Sequence, residues 1–302
     1  MLSPLSATLL LLLLPLSADC FLLPASPSSP RAQRASRPHL APNPGRAPSP
    51  PGLRAAFDEL EGDGKRGLKE GAGSFKKVFV AGGSRGVGRC VISNLLSSGS
   101  SVVALVRSAE AAAELGELGE GVRAVRGDAF DYKAVEDAMW GCDAAVSTLG
   151  GSEDGEGRLV DYVGNNNVIE ATGILGITRV VLVSSIGCGD SRDAAPDAVF
   201  EALKDVLKAK EKAERVLQRY YTNTNWTIVR PGGLKTMPAT GNAILTEDKL
   251  AIGSIHRQDV ADLVCKSLVS GETRQKILSA IDPSLSVAGG AGAGKEVAAF
   301  VL

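Results

Sequence analysis

The chain has 302 residues, of which 44% are hydrophobic and 22% charged, a composition typical of one large or two small globular α/β domains. The formal net charge of −1 excludes the strong basic field with which proteins bind nucleic acid through its phosphates. Only two histidines are present and no two of the five cysteines stand at metal-ligand spacing, so the sequence predicts no metal site.

The first 56 residues are typical of a targeting leader. Leu9–Leu14 is a leucine run shorter than the about 20 residues of a membrane-spanning helix, and it suits the core of a signal peptide. Phe21–Ala56 is rich in Ser, Pro, Ala and Arg and has no acidic residue, as in transit peptides. We predict a signal peptide over 1–20 and a disordered plastid transit peptide over 21–56, resembling the bipartite leader of algae with secondary plastids. Secretion with a Pro-rich linker is the alternative.

The distribution of charge and of apolar residues is typical of a targeting segment followed by a soluble domain. Residues 1–56 carry five arginines and one acidic residue, so the rest of the chain is acidic. No later apolar run is long enough for a membrane-spanning helix. We therefore expect a mature protein of the plastid stroma without a transmembrane span.

From Lys76 onward, short apolar runs alternate with segments of helical periodicity. The predicted strands are Lys77–Ala81, Ser101–Val106, Val122–Arg126, Ala144–Thr148, Arg179–Ser184 and Trp226–Val229. The predicted helices are Val87–Ser97, Ala109–Leu118, Tyr132–Trp140, Leu159–Leu175 and Val199–Tyr220. Such strands are typical of a parallel sheet that is buried on both faces. The alternation predicts an α/β fold with a doubly wound, mostly parallel sheet, an NAD(P)-binding Rossmann domain over 74–282, whose ligand crevice lies at the ends of strands one and four.

The pattern changes after the sixth strand, where we predict a small C-terminal extension on the substrate side. Its predicted elements are a loop over Arg230–Asn242, one or two short strands within Ala243–Gly253, a helix over Gln258–Val269 and a strand over Lys276–Ala280. Residues 283–302 are predicted to be a flexible tail, because they are rich in Gly and Ala. We interpret the body's cysteines as free thiols of a reducing compartment, namely Cys90, Cys142, Cys188 and Cys265.

A glycine-rich loop joins the first strand to the first helix. It consists of Gly82, Gly83, Ser84, Arg85, Gly86, Val87 and Gly88. Glycines permit a tight turn there and allow backbone N–H groups to approach a diphosphate, while the helix N-terminus contributes its positive dipole end. Since a strand precedes the loop and a helix follows it, the loop predicts a dinucleotide-binding site rather than a structural turn.

Arg107 follows the second strand, roughly twenty residues after the glycine loop. NAD-preferring proteins place an acidic residue here to hold the ribose hydroxyls. The planar, charged fork of an arginine instead suits a 2′-phosphate, and Arg85 could assist from the glycine loop. The residue therefore predicts NADP as the cofactor, the alternative being a solvated loop charge.

Six motifs along the body resemble a known family. Gly82-x-x-x-Gly86-x-Gly88 is followed by Gly127-Asp128-Ala129, Ser147-Thr148-Leu149-Gly150, Val183–Gly187 and Trp226–Gly233, and Ile255–Ala261 adds a late helix-start motif. Together they resemble the atypical short-chain dehydrogenase/reductase family, especially its NmrA-like and biliverdin reductase B-like members and the NAD(P)-binding subunit of the plastid import translocon. The resemblance implies that the cofactor is also bound by Asp128, Ala129, Thr148, Leu149, Gly150, Lys210, Pro231 and Gly232.

The catalytic pattern departs from that of ordinary family members, which use a Ser, a Tyr and a Lys with an Asn nearby. By position, Ser185 matches the serine, Lys210 matches the lysine, and Asp161 stands where Asn is usual. Four residues before Lys210 stands Val206, which has no ionisable proton. The resemblance implies a catalytic set of Ser185, Lys210 and Asp161 that lacks the usual proton donor.

Each of these residues also has a structural interpretation. Ser185 could cap a strand end, Lys210 could be a solvated lysine, and Asp161 could be an acid favoured by a helix dipole. Cys188 is interpreted as a buried thiol, and His256 as a residue that starts a helix and pairs locally.

Three functions stay open. The first is an NADPH-dependent oxidoreductase that reduces a small conjugated acceptor, a flavin, quinone or bilin, because hydride transfer to such molecules needs little help from a side-chain acid. The second is a non-catalytic redox sensor or scaffold that binds NADP(H) and contacts a plastid protein partner. An isomerase or epimerase is the third, and the protein is either a monomer or a homodimer.

Overall fold

The computed structural model describes residues 75–285 and 297–302, so the predicted leader lies outside the described residues. Its helices are α1 (Gly86–Ser97), α2 (Ala109–Gly116), α3 (Tyr132–Met139), α4 (Val163–Ile174), α5 (Asp197–Tyr220) and α6 (Arg257–Val269), with a 3-10 helix at Gly189–Ala194. Its strands are β1 (Lys77–Ala81), β2 (Ser101–Val106), β3 (Val122–Arg126), β4 (Ala144–Ser147), β5 (Arg179–Val183), β6 (Asn225–Pro231), β7 (Gly233–Lys235), β8 (Ile244–Thr246), β9 (Ser254–His256) and β10 (Lys276–Ile281).

Eight strands form one sheet in the order β3-β2-β1-β4-β5-β6-β10-β8, and β7 pairs with β9 in a separate two-stranded sheet. Neighbours in the large sheet are parallel except β10 and β8, which are antiparallel. The strand order reverses between β1 and β4, where a doubly wound sheet opens a crevice. The predicted α/β fold is thereby confirmed. Among the described helices, none combines the length and apolarity needed to cross a bilayer.

Alternation along β1 explains why its sequence is apolar at nearly every position. Val78 and Val80 pack into the hydrophobic cluster that contains the buried residues of α1 and α6. Phe79 and Ala81 pack into the cluster formed with α3 and α4. Successive side chains of a strand point to opposite faces, so a strand between two helical layers requires apolar residues on both.

Two elements differ from the prediction because long-range contacts decide them. The fourth predicted helix, Leu159–Leu175, begins only at Val163, because the residues before it bind elsewhere in the chain. Val160 N–H donates to the Ser152 carbonyl at 2.9 Å, for example. The segment predicted as a loop, Arg230–Asn242, contains β7, which forms because β9 lies alongside it in parallel.

The end of the chain contacts the domain, although the sequence predicts a flexible tail over 283–302. Phe300 N–H donates to the Leu245 carbonyl in β8 at 2.7 Å, and Lys276 Nζ lies 5.9 Å from the centre of the Phe300 ring. Val297 packs against a small hydrophobic cluster that includes Ile281. Val297 and Phe300 therefore hold this segment against the domain, at the side of the sheet where β8 is the outermost strand.

A buried arginine fixes the C-terminal end of α6. Arg179, at the start of β5, donates to the Leu268 carbonyl at 2.8 Å and to the Thr273 hydroxyl at 3.0 Å. Burial lowers the pKa of this guanidinium to about 10. A cation beside the last carbonyls of a helix is favoured by the helix dipole, so Arg179 holds α6 against the sheet.

Burial predicts that the thiols of the folded domain resist alkylation. It raises the pKa of Cys142 and Cys188 to about 11 and that of Cys265 to about 12. At pH 8 the reactive thiolate is then roughly one part in a thousand or less of each. We expect iodoacetamide to modify these cysteines at least about ten-fold more slowly in the folded protein than in urea, as measured by peptide mass spectrometry. The half-buried Cys90 is the internal comparison and should react faster. Equal rates in both conditions would contradict the described burial.

Candidate functional site

A cleft of about 400 Å³ opens at the carboxyl ends of the parallel strands, around the point where their order reverses. The predicted cofactor-binding residues that line it are Gly82, Ser84, Arg85, Gly86, Val87, Gly88, Arg107, Asp128, Ala129, Thr148, Leu149, Gly150, Lys210, Pro231 and Gly232. The predicted catalytic residues Ser185 and Asp161 line it as well. The structure thus brings together every predicted site residue except one.

That exception is Gly83, which we predicted to bind the cofactor. It is buried and does not line the cleft. A Cβ atom on Gly83 would lie 2.4 Å from Cδ1 of Ile92 in α1. Gly83 thus packs closely against α1, and its role in binding the cofactor stays a prediction.

The glycine loop packs against the end of β4 without space for side chains. Gly82 has a φ of +82°, and a Cβ atom there would lie 2.8 Å from Thr148 Oγ1. A Cβ atom on Gly88 would lie 2.3 Å from the Gly82 carbonyl oxygen. Thr148 also donates its hydroxyl to the Ala81 carbonyl at 3.0 Å, which fastens the two strand ends together. This backbone-lined hollow at the start of α1 fits a phosphate group.

Two arginines border one end of the cleft and a neighbouring hollow. Arg85 and Arg107 are exposed, and both line the cleft and this hollow, which is also bordered by Ser84, Ser108, Glu110 and Glu114. Within the described residues neither forms an ion pair, in contrast to Arg89, Arg158, Arg192, Arg215 and Arg230. Two unpaired guanidinium groups beside a hollow are suited to bind a phosphate monoester.

A buried ion pair lies at the other end of the cleft. Lys210 Nζ lies 3.0 Å from Asp161 Oδ1, and the Asp161 side chain is fully buried. Lys210 also donates to the Leu149 carbonyl at 3.1 Å, and Gly151 N–H donates to Asp161 Oδ2 at 2.9 Å. Since only 12% of the Lys210 side chain is exposed, its interpretation as a solvated lysine is wrong. The pair holds the ammonium at a fixed place in the cleft wall.

The remaining predicted residues define an end of the cleft without an acid. Ser185 lines the cleft and donates its hydroxyl to the Ile186 carbonyl at 3.0 Å. Val206 lies one helical turn before Lys210 and also lines the cleft. None of the residues that line the cleft is a tyrosine. The site therefore offers a serine hydroxyl and an ammonium, but no phenol, to a bound molecule.

Arg257 and Leu234 line the cleft, although the sequence does not predict either of them as a site residue. Leu234 lies in β7, in the segment predicted as a loop, so no local signal marked it. Arg257 lies in the Ile255–Ala261 motif, which we had identified only as a helix start. The signal available for it was an arginine at the first position of α6, a helix that comes much later in the chain than the glycine loop.

A second buried ion pair lies beneath the end of the cleft that contains Lys210. Arg230, in β6, donates to Glu214 of α5 at 3.1 and 2.6 Å, and both side chains are buried. Burial beside the Glu214 charge raises the pKa of the nearby Cys188 thiol to about 11, which fits its interpretation as a buried thiol. Because Pro231 follows Arg230 and Lys210 precedes Glu214 by one helical turn, this pair fixes the two cleft walls relative to each other.

A buried cluster stands behind the first turn of α6. One possible ligand atom each from His256, Asp259 and Asp282 lies within 4.8 Å of the other two. The carboxylates already accept hydrogen bonds, as Asp259 does from the backbone of Thr240 and Gly241 at 3.0 Å each. His256 Nδ1 lies 3.5 Å from Asp259, in agreement with the predicted local pairing. The cluster therefore holds the loop before β8, and the absence of a metal site stays a prediction.

A family profile, two chloroplastic relatives and a solved structure are each similar to this chain. The profile of the NAD(P)H-binding family matches residues 82–270. An uncharacterized chloroplastic protein of Arabidopsis thaliana is 34% identical over 227 residues, which cover 72% of this chain and 80% of the relative. Protein TIC 62, chloroplastic, of Pisum sativum is 29% identical over 212 residues, which cover 62% of this chain and 39% of TIC 62. The solved structure of ChuY, an anaerobillin reductase from Escherichia coli O157:H7, is 31% identical with a TM-score of 0.63, covering 70% of this chain and all of ChuY (100%).

The buried ion pair predicts a non-additive effect on stability. Lys210→Met leaves the fully buried Asp161 carboxylate without its cation, so we expect a loss of about 3 kcal/mol in the free energy of unfolding. The double variant with Asp161→Asn should lose less than the sum of the single losses, because neither charge is then left unpaired. Urea denaturation of the four proteins measures the coupling. Losses that add within about 0.5 kcal/mol would mean that the two side chains do not interact.

Proposed function

This chain belongs to the NAD(P)H-binding family, and we propose that it is an NADP(H)-dependent oxidoreductase whose acceptor is a small conjugated molecule such as a flavin, quinone or bilin. The observation that carries the proposal is the cleft, which joins a glycine cradle to an end lined by Val206 and Leu234 but by no tyrosine. The cradle fits a nucleotide, since backbone atoms occupy the space that side chains at Gly82 and Gly88 would need. Nicotinamide supplies hydride chemistry when it is bound there.

The choice of NADP rests on the unpaired arginines. Arg107 follows β2, where the ribose of the adenosine half lies in proteins of this fold, and it brings a positive charge instead of a carboxylate. Arg85 borders the same hollow from the glycine loop. Arginine binds phosphate in a bidentate manner, so this end favours a nucleotide with a 2′-phosphate.

The choice of a conjugated acceptor rests on the other end of the cleft. A carbonyl substrate needs an acid beside the oxygen that gains charge, and the position one turn before Lys210 is occupied by Val206. A conjugated ring system spreads the charge that it gains and can take its proton from water. Its faces would pack against Val206 and Leu234. The similarity to ChuY supports a bilin within this acceptor class.

The polar residues at that end have positioning roles in this proposal. Lys210 holds the nucleotide ribose at a fixed place beside the acceptor. Asp161 fixes the ammonium of Lys210 through the 3.0 Å ion pair. Ser185 presents its hydroxyl to a polar atom of the acceptor. Each of these groups binds or orients, and none donates a proton to the reacting carbon.

We propose that the protein acts in the plastid stroma. The support is the acid-free, Arg- and Ser-rich segment 21–56 together with the chloroplastic relatives. A reducing compartment is also compatible with the four free thiols of the described residues.

One observation favours a second candidate function. TIC 62 of Pisum sativum, 39% of which aligns with this chain, is named as a chloroplastic protein. The same absence of a tyrosine from the cleft lining would suit a protein that binds NADP(H) without turnover and contacts a plastid protein partner. In that case the nucleotide would alter affinity for the partner instead of undergoing oxidation.

Arg107 provides the test of cofactor choice. Arg107→Gln should weaken NADPH binding by about ten-fold or more and leave NADH binding unchanged, because only NADPH carries the 2′-phosphate. Fluorescence titration measures both affinities. Arg192→Gln is the matched control, since Arg192 pairs with Asp197 and stacks on Phe200 instead of lining the cleft. An unchanged ratio of NADPH to NADH affinity in Arg107→Gln would contradict the assignment.

Turnover separates the two functions. With the full-length protein and NADPH, we expect absorbance at the nicotinamide band to fall when a flavin, quinone or bilin is added, and to fall much more slowly with NADH. Ser185→Ala and Lys210→Met should each lower kcat by about ten-fold or more, because they remove positioning groups. Tight NADPH binding without oxidation by any of the three acceptors would favour the sensor or scaffold.

A further inference from the structure

We propose that Arg257 is a further cofactor-binding residue, whose guanidinium binds the diphosphate of the nucleotide and connects it through Thr236 to the acceptor side of the cleft. The inference rests on the proposed binding of NADP(H) in the cleft. Arg257 belongs neither to the glycine loop nor to the position after β2, so the inference adds a third arginine to the nucleotide site.

The first support is the position of the side chain. Arg257 lines the cleft, and its Nε would lie 3.7 Å from a Cβ atom on Gly86, the first residue of α1. Its guanidinium therefore stands across from the backbone that forms the phosphate cradle. A group bound on the glycine loop would lie between the loop and this cation.

The second support is the charge that Arg257 leaves unsatisfied. The guanidinium donates a hydrogen bond from Nη1 to the neutral hydroxyl of Thr236. Within residues 75–285 and 297–302 no carboxylate forms an ion pair with it. A guanidinium has five N–H donors, so most of its donors remain free for an anion, and its planar fork matches two phosphate oxygens.

The third support is the helix that carries the residue. Arg257 is the first residue of α6, and Gly86 is the first residue of α1. The N-termini of two helices therefore meet at one side of the cleft, and their N-terminal dipole charges both favour an anion there. The guanidinium adds a full charge to these two partial charges, at the place where a diphosphate would carry its own.

The link to the acceptor side runs through the segment that follows β7. Thr236 accepts the hydrogen bond from Arg257. Four residues after Thr236, the backbone N–H groups of Thr240 and Gly241 donate to the Asp259 carboxylate at 3.0 Å each. β7, which includes Leu234, pairs with β9 directly before Arg257. The cleft wall that carries Leu234 is thus fastened at two places to the first turn of α6 and also to β9, the strand directly before it. A diphosphate that fixes Arg257 also fixes this wall.

Binding measurements on variants of the full-length protein distinguish this role from that of Arg107. Arg257→Gln should weaken NADPH and NADH by the same factor, about ten-fold, because both nucleotides contain the diphosphate. Arg107→Gln should weaken NADPH alone. Arg257→Lys should recover part of the loss, and Thr236→Val should give a smaller, equal loss for both nucleotides. Circular dichroism and thermal unfolding verify that each variant folds.

Protection of the unsubstituted protein gives a second readout that does not depend on a variant's folding. Phenylglyoxal modifies free guanidinium groups, and peptide mass spectrometry reports each arginine separately. NADPH and NADH at saturation should both protect Arg257, whereas adenosine 2′-monophosphate, which has a 2′-phosphate and no 5′-phosphate, should protect Arg107 and leave Arg257 reactive.

The outcomes separate the inference from the function on which it rests. Binding of neither nucleotide to the unsubstituted protein would overturn the proposed function. Normal binding to that protein with unchanged affinities in Arg257→Gln, or with a loss for NADPH alone, would overturn the role of Arg257 and leave the proposed function intact. Unprotected Arg257 in the presence of saturating NADPH would overturn it as well.

Discussion

The cleft depends on the close contact between the glycine loop and the end of β4. A side-chain carbon at Gly82 or Gly88 would lie within 2.8 Å of atoms of the loop or of Thr148, so α1 can begin directly at the sheet only with glycine at both positions. This contact presents backbone N–H groups toward the opening between β1 and β4. It also determines where the ends of the neighbouring strands place the other polar groups of the cleft.

Charge is distributed along the cleft in two different ways. At the acceptor end Lys210 is neutralised by Asp161 within the wall, so this cation is held in place and adds little net charge. At the nucleotide end Arg85, Arg107 and Arg257 have no carboxylate partners among the described residues. The cleft therefore combines a fixed, balanced end with an end that attracts anions. A nucleotide with several phosphates matches the second end, and an uncharged ring system matches the first.

The sheet and most of the site could be predicted from the sequence because local patterns determine them. β1 and β2 have the predicted ends, since apolar runs buried on both faces are recognisable without tertiary information. The start of α4, the strand β7 and the contact of Phe300 could not be predicted, because partners distant in sequence decide them. The sequence of the glycine loop also does not show that Gly83, unlike its neighbours, is buried against Ile92 of α1.

The contact between Phe300 and Leu245 has a consequence for how copies of this protein can meet. β8 is the last strand on one side of the sheet, and an unpaired outer strand is a template on which another chain can add its own strand. A hydrogen bond from Phe300 covers part of that edge. The opposite outer strand, β3, carries two arginines in five residues, and like charges facing each other repel a second copy. Each outer strand therefore carries a feature that disfavours edge-to-edge pairing of two copies.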